Sequence, residues 1–161
     1  MFLTKEDFSE LVRLGPLVAI DLCILSSKGI LLGKRNNAPA KSFYFVPGGR
    51  IRKNETILCA LNRILKEETN ISNKISSLDK KFLGVYEHFY EDNFFGNKEF
   101  NTHYVVFSYL IKLQNKGIED KIILDDQHSE FLWYDRNSKI NNKEIHQNSK
   151  AYFDHELINL N

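Results

Sequence analysis

The strongest constraint on the fold is a predicted amphipathic helix whose apolar stripe ends in a carboxylate. The segment 49–68 reads GRIRKNETILCALNRILKEE, a glycine bend followed by apolar residues at helical spacing. At about 100° per residue, three side chains fall within about 40° of Ile57: Leu61, Ile64 and Glu68. A carboxylate on a packed face is costly unless something binds it. Glu68 is therefore the candidate functional acid, and the alternative is a frayed helix end that lets it reach water.

The adjacent carboxylate, Glu67, lies on the shoulder of this stripe, about 80° from its centre. Arg63 precedes Glu67 by four residues, which is the spacing of an ion pair on a helix surface. We therefore expect a structural role for Glu67 and a functional role for Glu68.

The bend before the helix indicates what Glu68 could bind. Glycine at positions 48 and 49 permits close approach of the backbone, so carbonyl oxygens could lie near the Glu68 carboxylate. A site built only from oxygen ligands favours a hard cation such as Mg²⁺.

The remaining pattern predicts strands interleaved with few helices. Runs rich in β-formers and bounded by turn residues occupy 17–25, 30–35, 43–49, 80–92, 100–113 and 130–135. Apolar residues recur at helical spacing in three separate segments: 4–13, after a possible Thr4 cap, 55–69 and 148–160. No repeat or linker divides the chain, so we expect one α/β domain over residues 1–161, with a mixed β-sheet held between helices.

Composition argues against two classes of partner. The formal net charge is +1 and no basic block stands out, so we expect no nucleic-acid partner. The longest apolar stretches, such as 104–111, are too short to span a bilayer, and the N-terminus lacks the apolar core of a signal peptide. Cys23 and Cys59 match no metal or redox spacing, and we interpret them as packed, reduced thiols of a cytoplasmic protein.

The helix segment resembles a Nudix box, in which glycine, Glu, Arg and a final pair of Glu residues recur at fixed spacing. The matching residues are Gly49, Glu55, Arg63, Leu65, Glu67, Glu68 and Ile71. Ile64 stands where the usual box has Glu directly after the Arg, and Asn70 stands in place of the final Gly. The change to Asn is mild, because Asn tolerates the left-handed conformation that a helix end often needs. The change to Ile removes a carboxylate beside Glu68.

The rest of the chain is similar to one branch of the Nudix superfamily, the bacterial GDP-mannose mannosyl hydrolases. The likeness covers most of the chain and runs through MFLTKEDF, PLVAIDL, LLGKR, YFVPGGR, EHFYEDNF, THYVVF, DDQH and NSKAYF. This resemblance implies the Nudix α/β/α sandwich and a homodimer. It also implies a small-molecule partner, a GDP-sugar.

The resemblance further implies a reaction at carbon. Nudix enzymes typically cleave a diphosphate by attack of water on phosphorus, whereas in this branch water attacks C1 of the sugar with inversion and GDP departs. By resemblance, Glu68, the Gly49 carbonyl and Gln127 hold Mg²⁺, or Mn²⁺ in its place. His128 is then the base, since a histidine accepts a proton close to neutral pH.

Two residues of the box bear on this reaction in opposite directions. One ion on the diphosphate suffices to stabilise a leaving group, so the missing carboxylate at Ile64 agrees with attack at carbon. Glu67 retains an acid that this route does not need, which leaves a second metal open.

The remaining site residues follow partly from the same resemblance, for the two arginines, and partly from their places in the predicted strands and helix. Arg35 and Arg50 are expected to support the departing diphosphate, because guanidinium groups match phosphate oxygens. Five residues are expected at the substrate: Phe8, Asp21, His88, Tyr90 and Tyr104. Asp21 lies in an apolar strand and needs a partner; Arg35 is the candidate, with guanine or a dimer contact as the other options. Packing or ordinary surface charge is the structural alternative for each of these residues.

Two other functions stay open. A conventional Nudix pyrophosphohydrolase would attack phosphorus, and Glu67 is its best support. A binding module would sense a nucleotide sugar without turnover, and it is weakened by the joint presence of His128, Gln127 and both arginines. The identity of the sugar, GDP-mannose or GDP-glucose for example, depends on pocket geometry.

Overall fold

The structure is a computed structural model that describes residues 3–71, 78–114, 118–123, 128–158 and 160. The α-helices in this part of the chain are α1 (Lys5–Leu14), α2 (Ile57–Thr69) and α3 (Gln147–Phe153). Its strands are β1 (Leu17–Ser26), β2 (Gly29–Arg35), β3 (Tyr44–Phe45), β4 (Gly48–Arg50), β5 (Asp79–Tyr90), β6 (Thr102–Lys112) and β7 (His128–Tyr134). Short 3-10 helices cover Glu119–Lys121 and Asn142–Glu144.

The strands form one mixed sheet with β1 at its centre. Its order is β3-β2-β1-β6-β5, and β4 pairs with β1 while β7 pairs with β2. β1 runs parallel to β6, and the other strand pairs are antiparallel. A central strand is covered on both faces, which is why β1 reads as the almost continuous apolar run LVAIDLCILS.

Apolar side chains cover both faces of this sheet. On one face α2 packs against the sheet through a cluster that includes Ile20, Leu22, Ile24, Leu31, Leu61, Ile64 and Leu65. On the other face α3 contributes to a cluster that includes Cys23, Leu32, Leu110, Tyr152 and Phe153. Helices on both faces of a mixed sheet confirm the expected α/β/α sandwich.

The helix ends follow the signals seen in the sequence. The Thr4 hydroxyl accepts a hydrogen bond from the Asp7 amide at 3.0 Å and caps α1. Thr56 caps α2 in the same way. Asn70 ends α2 in the left-handed conformation, with φ of 56°, which confirms that this Asn can take the place of glycine.

Two helices are shorter than the sequence predicted. The last helix ends at Phe153 instead of residue 160, because the chain turns and returns Ile158 to the core. The run 43–49 was expected as a short strand ended by Pro-Gly-Gly, and β3 does end before Pro47, while Gly48–Arg50 forms the additional strand β4. α2 begins at Ile57 instead of residue 55.

The first turn of α2 also differs from the expected buried stripe. Ile57 is 41% exposed and Leu58 is 50% exposed, because the helix is buried against the sheet only from Ala60 onward. Cys23 is buried as expected, but Cys59 is exposed, since it lies on the solvent side of α2. The helical stripe is therefore buried only in its second half, the half that leads to Glu68.

Candidate active site

One cavity of about 300 Å³ brings together most of the residues expected at the site. Its walls come from α1, α2 and the strands β1 to β6. Nine of the expected residues line it: Phe8, Asp21, Arg35, Gly49, Arg50, Glu68, His88, Tyr90 and Tyr104. They are distant in sequence and meet because β1 is flanked by both β4 and β6.

Glu68 lies in the wall of this cavity and is only 6% exposed. Gly49 also lines this cavity, and Ile64 packs against Gly49. A Cβ added at Gly49 would meet Ile64 Cγ1 at 3.2 Å, so a side chain at this position would crowd the helix. The residue one turn before Glu68 is therefore an apolar side chain that packs against the glycine backbone bordering the site.

The oxygen atoms of Glu68 and Gly49 are suited to a hard cation, for which the protein would supply only part of the coordination. The Glu68 carboxylate and the Gly49 backbone border the same space and offer oxygen atoms. Among the described residues, no group of three or more His, Cys, Asp or Glu side chains is arranged to hold a metal. A cation here would therefore complete its coordination with waters or substrate phosphates, as Mg²⁺ commonly does.

A charged network joins the bend before α2 to the helix itself. Arg63 donates to both Glu55 oxygens at 2.7 and 2.8 Å, to Glu67 at 2.8 Å, and to the Arg50 carbonyl at 2.7 Å. The Arg52 amide also donates to Glu55 at 2.9 Å. These hydrogen bonds lower the pKa of Glu55 to about 2, with Arg63 as the largest cause. The expected pair of Arg63 and Glu67 is confirmed, and Arg63 fixes the backbone from which Arg50 enters the cavity.

The cavity also contains two of the expected guanidinium groups. The Arg50 guanidinium lies 3.8 Å from the centre of the Phe8 ring, a cation–π contact, and burial lowers its pKa. Arg35 donates from Nε to the Pro39 carbonyl at 2.9 Å and lies 6.0 Å from the Phe45 ring centre. Both cations are held by packing before any anion arrives, which suits recognition of a phosphate group.

Asp21 is buried, at 6% exposed, and its hydrogen-bond partner differs from the expected one. The Tyr152 hydroxyl donates to Asp21 Oδ2 at 2.7 Å. Arg35, the expected partner, donates to the Pro39 carbonyl instead and acts on Asp21 through its charge. Burial raises the pKa of Asp21 to about 7, while the Tyr152 hydrogen bond and the Arg35 charge oppose that rise.

Residues of β5 and β6 form an aromatic wall of the cavity. His88 is buried, and burial lowers its pKa to about 4, so its ring is neutral at pH 7. Tyr90 lies between His88 and Tyr104, with ring centres 6.2 Å from each. Burial raises the pKa of both tyrosines, so their hydroxyls remain protonated donors.

A loop after β5 supplies a further aromatic group to the cavity. Asn93 is fully buried and its side chain makes four hydrogen bonds to the backbone of the loop, from residue 95 to residue 100. This arrangement holds Phe94 in the cavity lining, with its ring centre 6.3 Å from that of Phe8.

The expected base lies at the edge of the site. His128 begins β7, is partly exposed, and its Cα lies opposite that of Arg35. It is absent from the described lining of the cavity, so the structure places it next to the wall and not in it. Gln127, the expected third metal ligand, lies outside the described residues.

Reasoning from the sequence missed Arg52 in the cavity wall and Tyr152 behind it. Arg52 lines the cavity and donates to Glu67 at 3.3 Å. The pattern Gly-Gly-Arg-X-Arg could have indicated it, because both arginines closely follow the glycine bend. Tyr152 had no such signal, since its partner Asp21 is 131 residues away.

Comparison with known proteins identifies the family. A family model described as the NUDIX domain matches residues 15–155. The chain belongs to the NUDIX family. Its members are hydrolases that typically use a divalent metal, and the Nudix box of this chain is the segment that carries Gly49 and Glu68.

Three known proteins are similar to this NUDIX chain, two in sequence and one in fold. The low-salt glycan biosynthesis protein Agl8 of Haloferax volcanii is 36% identical over 125 residues, which are 78% of this chain and 74% of that protein. The ADP-ribose pyrophosphatase of Methanocaldococcus jannaschii is 44% identical over 73 residues, which are 45% of this chain and 41% of that protein. The crystal structure of a MutT NUDIX hydrolase from Burkholderia pseudomallei has a TM-score of 0.68 at 21% identity and covers 88% of this chain and 98% of its own, which shows a shared fold.

Among the residues that the structure describes, no helix has the length and apolar character required to cross a bilayer.

Proposed function

We propose that this protein hydrolyses a GDP-sugar, GDP-mannose foremost, to GDP and free sugar by attack of water at C1 with inversion. GDP-glucose is the second candidate substrate. The observation that carries the proposal is Ile64, which is 1% exposed and fills the space beneath Gly49 where the usual Nudix box has a carboxylate. A site with fewer acids is suited to a leaving group held by one cation.

In this proposal the phosphates and the base of the substrate contact different residues. Arg35 and Arg50 bind and orient the diphosphate. Phe8 stacks against the Arg50 guanidinium with one face, and the rest of its ring lines the cavity and is proposed to contact the base. Asp21 and His88 supply acceptor atoms, and Tyr90 and Tyr104 supply hydroxyl donors. This mixture suits a ligand that carries both phosphate oxygens and sugar hydroxyls.

The residues proposed to hold the metal are Glu68, the Gly49 carbonyl and Gln127, with Mg²⁺ as the ion or Mn²⁺ in its place. When bound there, the ion would supply stabilisation of the negative charge on the departing diphosphate. His128 is proposed to take the proton of the attacking water, reaching the site from its position opposite Arg35 on β7. The enzyme is proposed to be a cytoplasmic homodimer with a small-molecule substrate and no nucleic-acid partner.

A second candidate function has its own support. Glu67 lies in the cavity lining with its side chain 47% exposed, although Arg63 and Arg52 both pair with it. If it bound a second ion, the chain would be a pyrophosphohydrolase that attacks phosphorus. The name of the Methanocaldococcus jannaschii relative, an ADP-ribose pyrophosphatase, favours that function, whereas the name of the Agl8 relative, a glycan biosynthesis protein, agrees with either.

Hydrolysis in ¹⁸O-water separates these functions. The protein is incubated with GDP-mannose and Mg²⁺, and the products are analysed by mass spectrometry. We expect the label in free mannose beside unlabelled GDP. Label in GMP or sugar 1-phosphate would show attack at phosphorus, and binding of GDP-mannose without turnover would identify a binding module. A Glu68→Gln preparation is the control for contaminating phosphatases, and it should lose Mg²⁺-dependent turnover.

The proposed homodimer is tested by light scattering on the intact protein. We expect a mass of twice the 18.8 kDa of one chain. A mass of one chain at micromolar concentration would remove the homodimer from the proposal.

A further inference from the structure

A chain of hydrogen bonds runs behind the wall of the cavity through a residue that does not line it. Tyr152 of α3 is fully buried, and its hydroxyl lies 2.7 Å from Asp21 Oδ2 and 3.1 Å from His88 Nε2. Asp21 and His88 both line the cavity, whereas Tyr152 is absent from its described lining. One phenol therefore contacts two site residues from the side away from substrate.

The chemistry of the three groups sets the direction of these bonds. A tyrosine hydroxyl has one proton to donate, and a carboxylate can only accept. When the hydroxyl donates to Asp21, its oxygen remains an acceptor for His88, so Nε2 of that ring must carry the proton. The other ring nitrogen of His88, Nδ1, is then left without a proton and can only accept.

The surrounding structure leaves little room for another arrangement. Asp21 Oδ1 lies against Gly48, at a position that any Cβ on Gly48 would occupy. Tyr152 is fixed on its other side by the edge of the Tyr86 ring, with ring centres 4.7 Å apart. Both the carboxylate and the phenol therefore have a defined orientation before substrate enters.

We propose that Tyr152 is a positioning residue that orients the Asp21 carboxylate and selects the His88 tautomer with the proton on Nε2. The cavity then presents two acceptors, Asp21 and Nδ1 of His88, close to the guanidinium groups of Arg35 and Arg50. Two acceptors recognise hydroxyl groups, so Tyr152 favours a substrate with a second sugar attached to its diphosphate over a nucleoside di- or triphosphate that carries no second sugar. This selectivity rests on the proposed function, whereas the tautomer does not.

The tautomer is measured first, on the wild-type protein. Imidazole ¹⁵N chemical shifts from a long-range ¹H–¹⁵N correlation spectrum distinguish a protonated Nε2 from a protonated Nδ1, and a His88→Gln variant assigns the signals. The spectrum is recorded at about pH 8.5, where Asp21, whose pKa is about 7, is ionised. We expect His88 as the Nε2-protonated form. A ring protonated on Nδ1 would overturn the proposal without any variant of Tyr152 and without any assay of activity.

The isosteric variant Tyr152→Phe then removes only the hydroxyl. We expect His88 to shift toward a mixture of tautomers. Loss of one hydrogen bond to a charged group should lower kcat/KM for GDP-mannose by about tenfold or more. The Kd of the nucleotide product GDP should rise by no more than about twofold, because GDP lacks the mannose hydroxyls.

Two controls separate positioning from stability. Tyr86→Phe removes a phenol hydroxyl from the same aromatic cluster, and we expect both the tautomer and kcat/KM to stay unchanged. In the double variant Asp21→Asn/Tyr152→Phe, we expect the loss of kcat/KM to be close to that of Asp21→Asn alone, because the two groups act together. Fully multiplicative losses, or an unchanged His88 spectrum in Tyr152→Phe, would overturn the proposal. Absence of turnover in the wild type would count against the proposed function only, since the tautomer is measured independently.

Discussion

The pair of Glu55 and Arg63 should be the largest electrostatic contribution to stability near the site. Arg63 is 18% exposed and Glu55 is 13% exposed, so solvent screens this pair little. The perturbation is Glu55→Gln, which keeps the shape and removes the charge. It leaves the Arg63 guanidinium partly buried beside a neutral amide, with Glu67 as its remaining acid.

The expected magnitude follows from the pKa of Glu55. A carboxyl whose pKa falls from 4.5 to about 2 is more stable as its anion in the folded protein by about 3 kcal/mol. With a urea m-value of about 2 kcal/mol/M, the midpoint of unfolding at pH 7 should fall by about 1.5 M. Because the folded pKa is depressed, this stabilisation is complete above about pH 5 and is lost as the pH falls toward 2.

The assay is urea unfolding followed by circular dichroism and tryptophan fluorescence at pH 7, 5 and 3. The difference between wild type and Glu55→Gln should narrow from pH 5 to pH 3. The matched control is Glu10→Gln, which breaks an exposed ion pair with Arg13 on α1 and should leave the midpoint unchanged. A shift for Glu55→Gln below about 0.3 M, or one that stays constant with pH, would refute the reasoning.

Four further predictions concern the site itself. Glu68→Gln should weaken activation by Mg²⁺ in a metal titration far more than Glu67→Gln, and equal effects would contradict the division of the two acids. Ile64→Ala should lower the free energy of unfolding by about 2–5 kcal/mol in urea, because the side chain is fully buried beneath Gly49. Arg50→Ala should raise KM for GDP-mannose by about tenfold or more in steady-state kinetics, since a charge-assisted phosphate contact is lost; an unchanged KM would remove it from substrate binding. His128→Ala should reduce kcat while circular dichroism and Mg²⁺ affinity stay near normal, and unchanged turnover would exclude it as the base.

Local patterns predicted the helix and its acids well. The divergence of Glu67 and Glu68 depends only on 3.6 residues per turn, and the structure has Glu68 buried and Glu67 exposed and paired with Arg63. The caps of both helices and the left-handed Asn70 are likewise decided within a few residues. These features need no knowledge of what the helix packs against.

Predictions failed where a distant part of the chain decides the outcome. Ile57 continues the apolar stripe in sequence but is exposed, because the buried part of α2 begins after the first turn. Asp21 was correctly expected to be buried, yet its partner is Tyr152 and not Arg35. Periodicity gives the face of an element but not the residue that meets it across the sheet.

By itself, the sequence determined the NUDIX segment, the mixed sheet between helices, and the acid that turns inward at the end of α2. These follow from short-range spacing and from segments that resemble a known family. Only the tertiary structure decided that Arg63 holds the carbonyl of Arg50 and that Tyr152 joins Asp21 to His88. The physical reason is that hydrogen bonds depend on atoms within about 3 Å of each other, and such distances between remote residues are set by how helices and strands pack.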